Sequence, residues 1–332
     1  MVIKLKTFTL VLDRPGAVYR PLDVLSGQCI LQLDGEMHLS QLTITMKGRA
    51  ECEWTEQVKQ PKHSGRRSSE TVSASGSATS TSSVNTTETI RHYQRYNCVE
   101  LPYYPGNIYP SVLHNGQHII AFNFQLPDRI PATYDGQYGR IRYWLKAHIK
   151  QDGPDETTIQ PFTVQTPAYV SIQELTQPVL VSKDKTVGLI GGKPLILRCQ
   201  LHSRGHNVGH SIPVHCFIDN QSKKSMILKA ALKQEVQFTA NGVNKQTRQK
   251  LTRGLDQTVG ASTQTNTIVE LQVPPNAPVV HSVCPIISIK YQLSVKLDIP
   301  GSFDLKCDLP IILTNEPIAI GAGVGAGVGI TS

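Results

Sequence analysis

The sequence predicts an all-β protein built from two tandem antiparallel β-sandwiches. Wherever the sequence is periodic, apolar residues alternate with polar ones, and no stretch keeps a helical period over three turns. The length of 332 residues is about twice that of a typical domain, and one pattern of residues occurs twice. Only 17% of the residues are charged, whereas 25 are Gly and 21 are Pro, a composition that suits many short strands joined by turns.

Three segments show the alternation most clearly, and each predicts a strand with one buried and one solvated face. In the first, the even-numbered residues from Leu42 to Trp54 form the apolar face. In the second, the odd-numbered residues from Ile141 to Ile149 are apolar, and in the third those from Ile287 to Leu297 are apolar. The polar face of the second strand consists of Arg140, Arg142, Trp144, Lys146 and His148.

The second and third of these strands belong to an internal repeat. In the first half, Phe124-Gln125-Leu126-Pro127 precedes Pro131 and Tyr143; in the second, Leu271-Gln272-Val273-Pro274 precedes Pro278 and Tyr291. The two prolines are four residues apart in both halves, and the distance from the first proline to the tyrosine is 16 residues against 17. The repeat predicts related sandwiches at residues 1–165 and 179–317, a linker at 166–178 and a flexible Gly-rich tail at 318–332.

One segment of the N-terminal half lacks the side chains that a core needs. Between Ser64 and Thr89, 15 of 26 residues are Ser or Thr. Burial cannot offset the ordering entropy of such a segment, so we expect a disordered insertion over about residues 55–92. Arg66-Arg67-Ser68-Ser69 resembles a basophilic kinase site and makes Ser68 and Ser69 phosphorylation candidates; a chance match is the alternative, since such motifs are short.

The positive net charge of +8 favours acidic partners such as phosphopeptides or anionic lipid surfaces. No nucleic-acid partner is expected, because the sequence has no clustered basic stripe interleaved with aromatic residues. Lys4 and Lys6, placed before the first strand, are anion-binding candidates, with an alternating edge strand as the alternative. The set from Lys245 to Arg253 lies in a predicted polar loop that either contacts lipid phosphates or is simply solvated. The anion or phosphate-binding candidates are Lys4, Lys6, Arg14, Lys245, Arg248, Lys250 and Arg253.

No sequence motif indicates catalysis or a cofactor, since nucleophile-elbow, Walker, HExxH and CxxC patterns do not occur. One cluster has residue types that bind zinc, but its spacing matches no site signature. Gly205 and Gly209 favour a polar hairpin loop with two core thiols there, so no metal is expected. The odd number of seven cysteines favours reduced thiols in the cytosol. The zinc-type residues are Cys199, His202, His206, His210, His215 and Cys216.

Several motifs occur in an order that is typical of one family. Tyr19 to Gly27 follows an apolar strand that ends in Asp13, and Leu42 to Trp54 resembles I-x-V-x-L-x-G-x-A-x-x-x-W with other apolar residues at its first three positions. Gly116 to Pro127 fits G-x-H-x-x-x-F-x-F-x-L-P. Gly139 to Leu145 fits G-x-I-R-Y-x-L, and the C-terminal half carries Pro274-Pro275, Cys284 and Leu309-Pro310-Ile311. From about Lys6 to Ile320 the chain therefore resembles arrestin domain-containing proteins of the α-arrestin type. The resemblance implies two tandem immunoglobulin-like antiparallel β-sandwiches, the arrestin N and C domains.

The resemblance also implies a function. It implies a non-catalytic, cytoplasmic adaptor, peripheral at the plasma membrane or endosomes, that links receptors or transporters as cargo to endosomal and ubiquitin-ligase machinery. No PPxY motif occurs, so ligase recruitment through that motif is not expected. After Asp13-Arg14 the chain is uncharged through Val18, so activation by receptor phosphates is not expected either. The alternative, a secreted tandem-sandwich adhesion or ligand-binding protein, requires a signal peptide and paired cysteines, and the sequence indicates neither.

Overall fold

The computed structural model describes residues 4–59, 87–105, 111–151, 153–188, 191–279 and 283–315. These residues form twenty strands and one short helix, α1 (Ile172–Thr176). None of the described helical residues forms a helix that is long and apolar enough to span a membrane. The strands of the first half are β1 (Lys4–Leu12), β2 (Val18–Tyr19), β3 (Val24–Asp34), β4 (Met37–Lys59), β5 (Thr87–Tyr103), β6 (Ser111–Leu113), β7 (Gly116–Gln125), β8 (Tyr134–Asp135), β9 (Gly139–Gln151) and β10 (Glu156–Val164). Those of the second half are β11 (Val179–Val187), β12 (Lys193–Leu201), β13 (Gly205–Asn207), β14 (Ser211–Asn220), β15 (Met226–Ala240), β16 (Val243–Arg253), β17 (Gln257–Val259), β18 (Thr263–Gln272), β19 (Ile287–Asp298) and β20 (Leu305–Thr314).

Each half is a two-sheet sandwich, and the two halves share one topology. In the first, sheet β1-β3-β7 faces sheet β2-β10-β9-β4-β5; in the second, β11-β12-β14-β18 faces β13-β20-β19-β15-β16. The short strand β2 pairs in parallel with β10, and β13 pairs in parallel with β20 at the equivalent place. Strand β11 is an additional edge strand of the second half. The tandem β-sandwich fold predicted from the repeat is therefore confirmed.

The predicted in-and-out alternation is also confirmed along the three central strands. On β4, β9 and β19 the apolar face points into a sandwich, with Ile44, Leu145 and Leu293 fully buried. The neighbouring residues of each strand point outward. Because side chains alternate with a period of two, this register fixes the residues of the outer face as firmly as those of the core.

A buried tyrosine makes the same hydrogen bond in both halves of the repeat. The Tyr143 hydroxyl donates to the Pro131 carbonyl oxygen at 2.5 Å, and the Tyr291 hydroxyl donates to the Pro278 carbonyl oxygen at 2.7 Å. The two phenols are 2% and 5% exposed, and burial raises the pKa of both. Each bond ties a central strand to the loop that precedes it, which explains why proline and tyrosine recur at nearly equal spacing.

The predicted insertion over about residues 55–92 is too long at both ends. Strand β4 continues to Lys59 and β5 begins at Thr87, with pairing from Thr55↔Arg91 to Lys59↔Thr87. All of these residues except Val58 and Ile90 are polar, and a hairpin can continue through them because its ladder consists of backbone hydrogen bonds. Residues 60–86, with Ser68 and Ser69, lie outside the described residues, as does the predicted tail.

The predicted linker at 166–178 contains the helix α1. The Ser171 side chain caps it by accepting from the Glu174 amide at 3.1 Å. Leu175 is buried in a small cluster with Ala168 and Ile312 of β20, so this connection packs on the second sandwich. The short helix has no apolar period that a sequence pattern could reveal.

We expect Tyr143→Phe and Tyr291→Phe to lower the free energy of unfolding by about 1–3 kcal/mol each, because a buried proline carbonyl loses its donor. Tyr291→Phe also leaves the Gln234 amide, which donates to the Tyr291 hydroxyl at 2.7 Å, without that partner. Urea unfolding measures the change. Tyr104→Phe is the matched control, since Tyr104 is 54% exposed, and an equal loss in the control would contradict the prediction.

Candidate interaction surfaces

The two sandwiches meet at a seam between the start of β9 and the β15–β16 hairpin. Phe238 is fully buried there, and its ring packs edge-on against Tyr138 with centroids 5.8 Å apart. Gly139 makes this approach possible. A Cβ atom at that position would lie 2.9 Å from Phe238 Cδ1 and 2.8 Å from the Glu51 carbonyl oxygen, closer than real contacts allow.

Polar groups also cross the seam. The Cys52 thiol donates to the Ile286 carbonyl oxygen at 3.3 Å. Lys245 Nζ lies 3.0 Å from Glu56 Oε1 and 5.6 Å from the Tyr138 ring centroid. The Lys245 hydrogen bond is the main cause that lowers the pKa of Glu56. Lys245, an anion-binding candidate from the sequence, is thus already paired with a carboxylate of the other sandwich.

The structure separates the three N-terminal anion-binding candidates. Lys4 and Lys6 lie in β1, so the prediction that they precede the first strand is wrong and the alternative, an edge strand, is confirmed. A bulge between Leu5 and Thr7 interrupts the alternation of β1 and hides the start of the strand in the sequence. Lys6 Nζ pairs with Asp34 at 2.9 Å. Arg14 follows the opposite end of β1, where its Nη2 donates to the Val24 carbonyl oxygen at 3.4 Å and its Cζ lies 4.9 Å from the Tyr19 ring centroid.

The C-terminal candidates lie in strand β16, so the prediction of a polar loop there is wrong. An edge strand that is largely exposed has no apolar alternation, which is why its sequence resembles a loop. Arg248 Nε pairs with Glu235 at 2.6 Å, and Arg253 Nη2 lies 3.9 Å from Asp256. Lys250 is the cross-strand partner of Lys233. Burial and then the nearby Lys306 charge lower the pKa of Lys233.

The cysteine and histidine cluster is divided among three environments. Cys199 and Cys216 are cross-strand partners in the core with their sulfur atoms 3.9 Å apart. The rings of His202 and His215 lie 4.7 Å apart on the outside of the same sheet. His206 is on β13, where burial lowers its pKa to about 4. Among the described residues, no group of three or more His, Cys, Asp or Glu side chains is arranged to hold a metal ion.

The outer face of strands β9, β4 and β5 carries the densest group of charges in the N-terminal sandwich, and we call it the arginine face. Three of its arginines converge on one carboxylate, Glu51: Arg140 Nη2 lies at 3.0 Å, and Arg49 Nη1 and Arg95 Nε each at 3.5 Å. Burial alone would raise the pKa of Glu51, but the Arg140 hydrogen bond and the three positive charges together hold it below its usual value. The cations of the face are Lys47, Arg49, Arg91, Arg95, Arg140, Arg142, Lys146 and Lys150.

Two aromatic rings are part of the arginine face. Arg49 Cζ lies 5.3 Å from the Trp144 ring centroid, and Arg91 and Arg95 flank Tyr93 at 5.5 and 5.9 Å. Stacking of this kind orients a guanidinium group. Reasoning from sequence alone finds the polar faces of β4 and β9 but does not join them, because it does not show which strands pair. The pairing of β4 with both β9 and β5 assembles the face.

Two family models match the chain in the order of its two sandwiches. The "Arrestin (or S-antigen), N-terminal domain" model matches residues 8–171, and the "Arrestin (or S-antigen), C-terminal domain" model matches residues 192–318. The tandem sandwiches and their seam thus define a protein of the arrestin fold. The chain belongs to the arrestin family, among the arrestin domain-containing proteins of the α-arrestin type.

Curated relatives are similar over most of the chain. Arrestin domain-containing protein 4 of Mus musculus is 28% identical over 310 residues, which is 92% of this chain and 70% of the relative. The protein of the same name from Homo sapiens is 28% identical over 311 residues, with the same shares. Thioredoxin-interacting protein of Homo sapiens is 24% identical over 320 residues, covering 94% of this chain and 75% of the relative.

We expect Phe238→Ala to lower the free energy of unfolding by about 3–5 kcal/mol, because it leaves a cavity at the seam. Urea unfolding measures the loss. Phe303→Ala is the matched control, since Phe303 is 89% exposed and its truncation removes little packing. Similar values for the two variants would show that the seam does not stabilise the chain.

The Lys245–Glu56 pair predicts a pH dependence. The folded-state pKa of Glu56 is below its ordinary value of 4.5, so the pair stabilises the fold above that value, and the contribution is lost as pH falls through the folded-state pKa. We therefore expect Lys245→Met to be less stable than the wild type at pH 7 and equally stable in strong acid. Urea midpoints measured from pH 7 downward test this.

Lys290→Met is the control for the pH series, because Lys290 is an exposed strand lysine that makes no ion pair with the described residues. A difference between wild type and Lys245→Met that persists unchanged in strong acid would show that the lysine acts through packing alone.

Proposed function

We propose that this protein is a non-catalytic adaptor that binds membrane-protein cargo and trafficking or ubiquitylation machinery in endocytosis and protein transport. The observation that carries the proposal is the match of both arrestin domains, in order, over residues 8–171 and 192–318. In this proposal the protein acts in the cytoplasm, peripherally at the plasma membrane or endosomes. The secreted alternative is not supported by its relatives.

The architecture suits a binding role. Four sheets expose edge strands, among them β1, β11 and β16, whose outer backbone groups can pair with an extended segment of a partner. An acidic lipid surface is a second partner in this proposal, contacted by exposed cations such as Lys250 at about 1 kcal/mol each.

The titration of the described residues also supports binding over catalysis. The pKa values that shift furthest belong to core groups such as the Cys29 thiol, which burial raises to about 12, and the Tyr143 phenol. The Cys29 thiol is packed inside the first sandwich, and the Tyr143 hydroxyl, although this residue lines a surface depression, already donates to the Pro131 carbonyl oxygen. A ubiquitin ligase would be recruited without a PPxY motif, and phosphorylation at Ser68 or Ser69 would reverse local charge beside Arg66 and Arg67.

Proximity labelling in cells tests the proposal. The full chain fused to a biotin ligase should enrich membrane receptors or transporters, endosomal components and ubiquitin ligases over the biotin ligase alone at matched expression. A Phe238→Ala fusion serves as a second comparison, because it disturbs the seam. If no membrane protein or trafficking component is enriched by the wild-type fusion, the adaptor function is wrong.

A further inference from the structure

We propose that the arginine face binds an extended acidic segment of a partner polypeptide, with glutamate or aspartate side chains at every second residue. The inference rests on the proposed function, since it specifies the chemistry of the cargo or partner segment that the adaptor recognises. None of the anion-binding candidates predicted from the sequence lies on this surface.

The charge balance of the face favours an anion. Its eight cations are opposed by five carboxylates, those of Glu51, Glu53, Glu100, Asp135 and Asp155, the last of which pairs with His148 of the same face. The face therefore carries three more cations than carboxylates. Arg142 and Arg49 are direct cross-strand partners, an arrangement of like charges that destabilises a sheet by itself. An added anion would relieve this repulsion.

Two cations of the face, Lys146 and Lys150, make no ion pair with the described residues. Arg49 reaches Glu51 and stacks on Trp144, and its Nε is buried and therefore closed to a partner. The arginines that surround Glu51 show that this geometry accepts a carboxylate, and guanidinium groups bind carboxylates through two parallel hydrogen bonds.

The spacing of the cations matches that of an extended peptide. Arg140, Arg142, Lys146 and Lys150 lie on one face of β9, so their Cα atoms are separated by multiples of about 6.6–6.8 Å along the strand. An extended peptide repeats its side chains at the same interval. Acidic residues at alternate positions of a peptide that lies along β9 would therefore face these cations in register.

The surface suits a polypeptide better than a lipid bilayer. Membrane-binding surfaces combine cations with protruding apolar side chains. The most exposed large apolar residues of the described chain, Leu255 at 86% and Phe303 at 89%, lie in loops of the second sandwich. Ile159 of β10 is exposed opposite Lys146, but Trp144 is covered by Arg49, and the arginines are held in rows by strand pairing. Fixed rows of guanidinium groups fit side-chain carboxylates at defined positions.

Trp144 provides a direct reporter of binding. The chain has two tryptophans, and Trp54 is 4% exposed inside the first sandwich. The full chain is titrated with an alternating Ser-Glu peptide while tryptophan fluorescence is recorded, with an alternating Ser-Gln peptide as the uncharged control. We expect a saturable change with the Ser-Glu peptide, its loss in Trp144→Phe, and weaker binding as salt increases.

Matched variants locate the site. Arg140→Gln combined with Arg142→Gln should weaken binding of the Ser-Glu peptide about tenfold or more, since two charge-assisted hydrogen-bonding groups are lost. Arg129→Gln combined with Arg198→Gln removes the same charge from two arginines that stack on Tyr169 and Phe217 elsewhere, and should leave binding unchanged. Arg140→Lys combined with Arg142→Lys keeps the charge, so we expect its loss of peptide affinity to lie between those of the wild type and the Arg140→Gln, Arg142→Gln variant. This comparison remains valid if the Gln variant is also less stable.

Several outcomes would overturn the proposal. Equal losses of peptide affinity in the two double Gln variants would show an effect of net charge alone. Equal affinity for the Ser-Gln and Ser-Glu peptides would show that carboxylates are not recognised. Binding to phosphatidylcholine–phosphatidylserine vesicles through Arg140 and Arg142, without peptide binding, would make the surface a lipid site. Failure of the adaptor function is seen separately, as proximity labelling that recovers no membrane protein whatever the peptide result.

Discussion

The register of β4 against β9 is the constraint on which the first sandwich depends. These central strands pair from Leu39↔Gln151 to Cys52↔Gly139, and their inward side chains build the core. A slip of one residue on β9 would turn Ile141 and Leu145 to solvent and drive Arg140 and Arg142 into the core. Burying unpaired charges costs several kcal/mol each, so the core and the arginine face are two consequences of one register.

The same register places the seam. Gly139 begins β9 opposite Cys52 of β4, and both residues contact the second sandwich. Gly139 lets Phe238 approach because it has no side chain, and Cys52 donates a hydrogen bond through its thiol. In the second sandwich, β15 takes the central position of β4 and supplies Phe238 from its end. The repeated tyrosine–proline hydrogen bond fixes β9 and β19 to their preceding loops, so both partners of the seam are held from within their own sandwiches.

Sequence reasoning succeeds here where a pattern is local and fails where it depends on pairing. Alternation identifies the faces of β4, β9 and β19, and the Pro131–Tyr143 and Pro278–Tyr291 spacings reveal the repeat, because each depends on neighbours in the chain. Strand β16 is missed since an exposed edge strand needs no apolar face. The arginine face is missed for a different reason: Glu51 collects arginines from three strands, and only the strand order brings Arg95 and Arg140 to it.

The two sandwiches handle positive charge differently at equivalent positions, and this difference supports anion recognition by the first. On the outer face of the second, Lys229, Lys296 and Lys306 form one cross-strand row. Each lysine there has its own aspartate: Asp298 at 2.6 Å, Asp304 at 2.5 Å and Asp308 at 2.6 Å. On the arginine face, three arginines share Glu51. Each lysine of that row has a carboxylate of its own, whereas on the arginine face one carboxylate is shared by three guanidinium groups. The two halves of a duplicated fold thus distribute carboxylates differently, and the shared arrangement suits an added acidic partner better than the lysine row does.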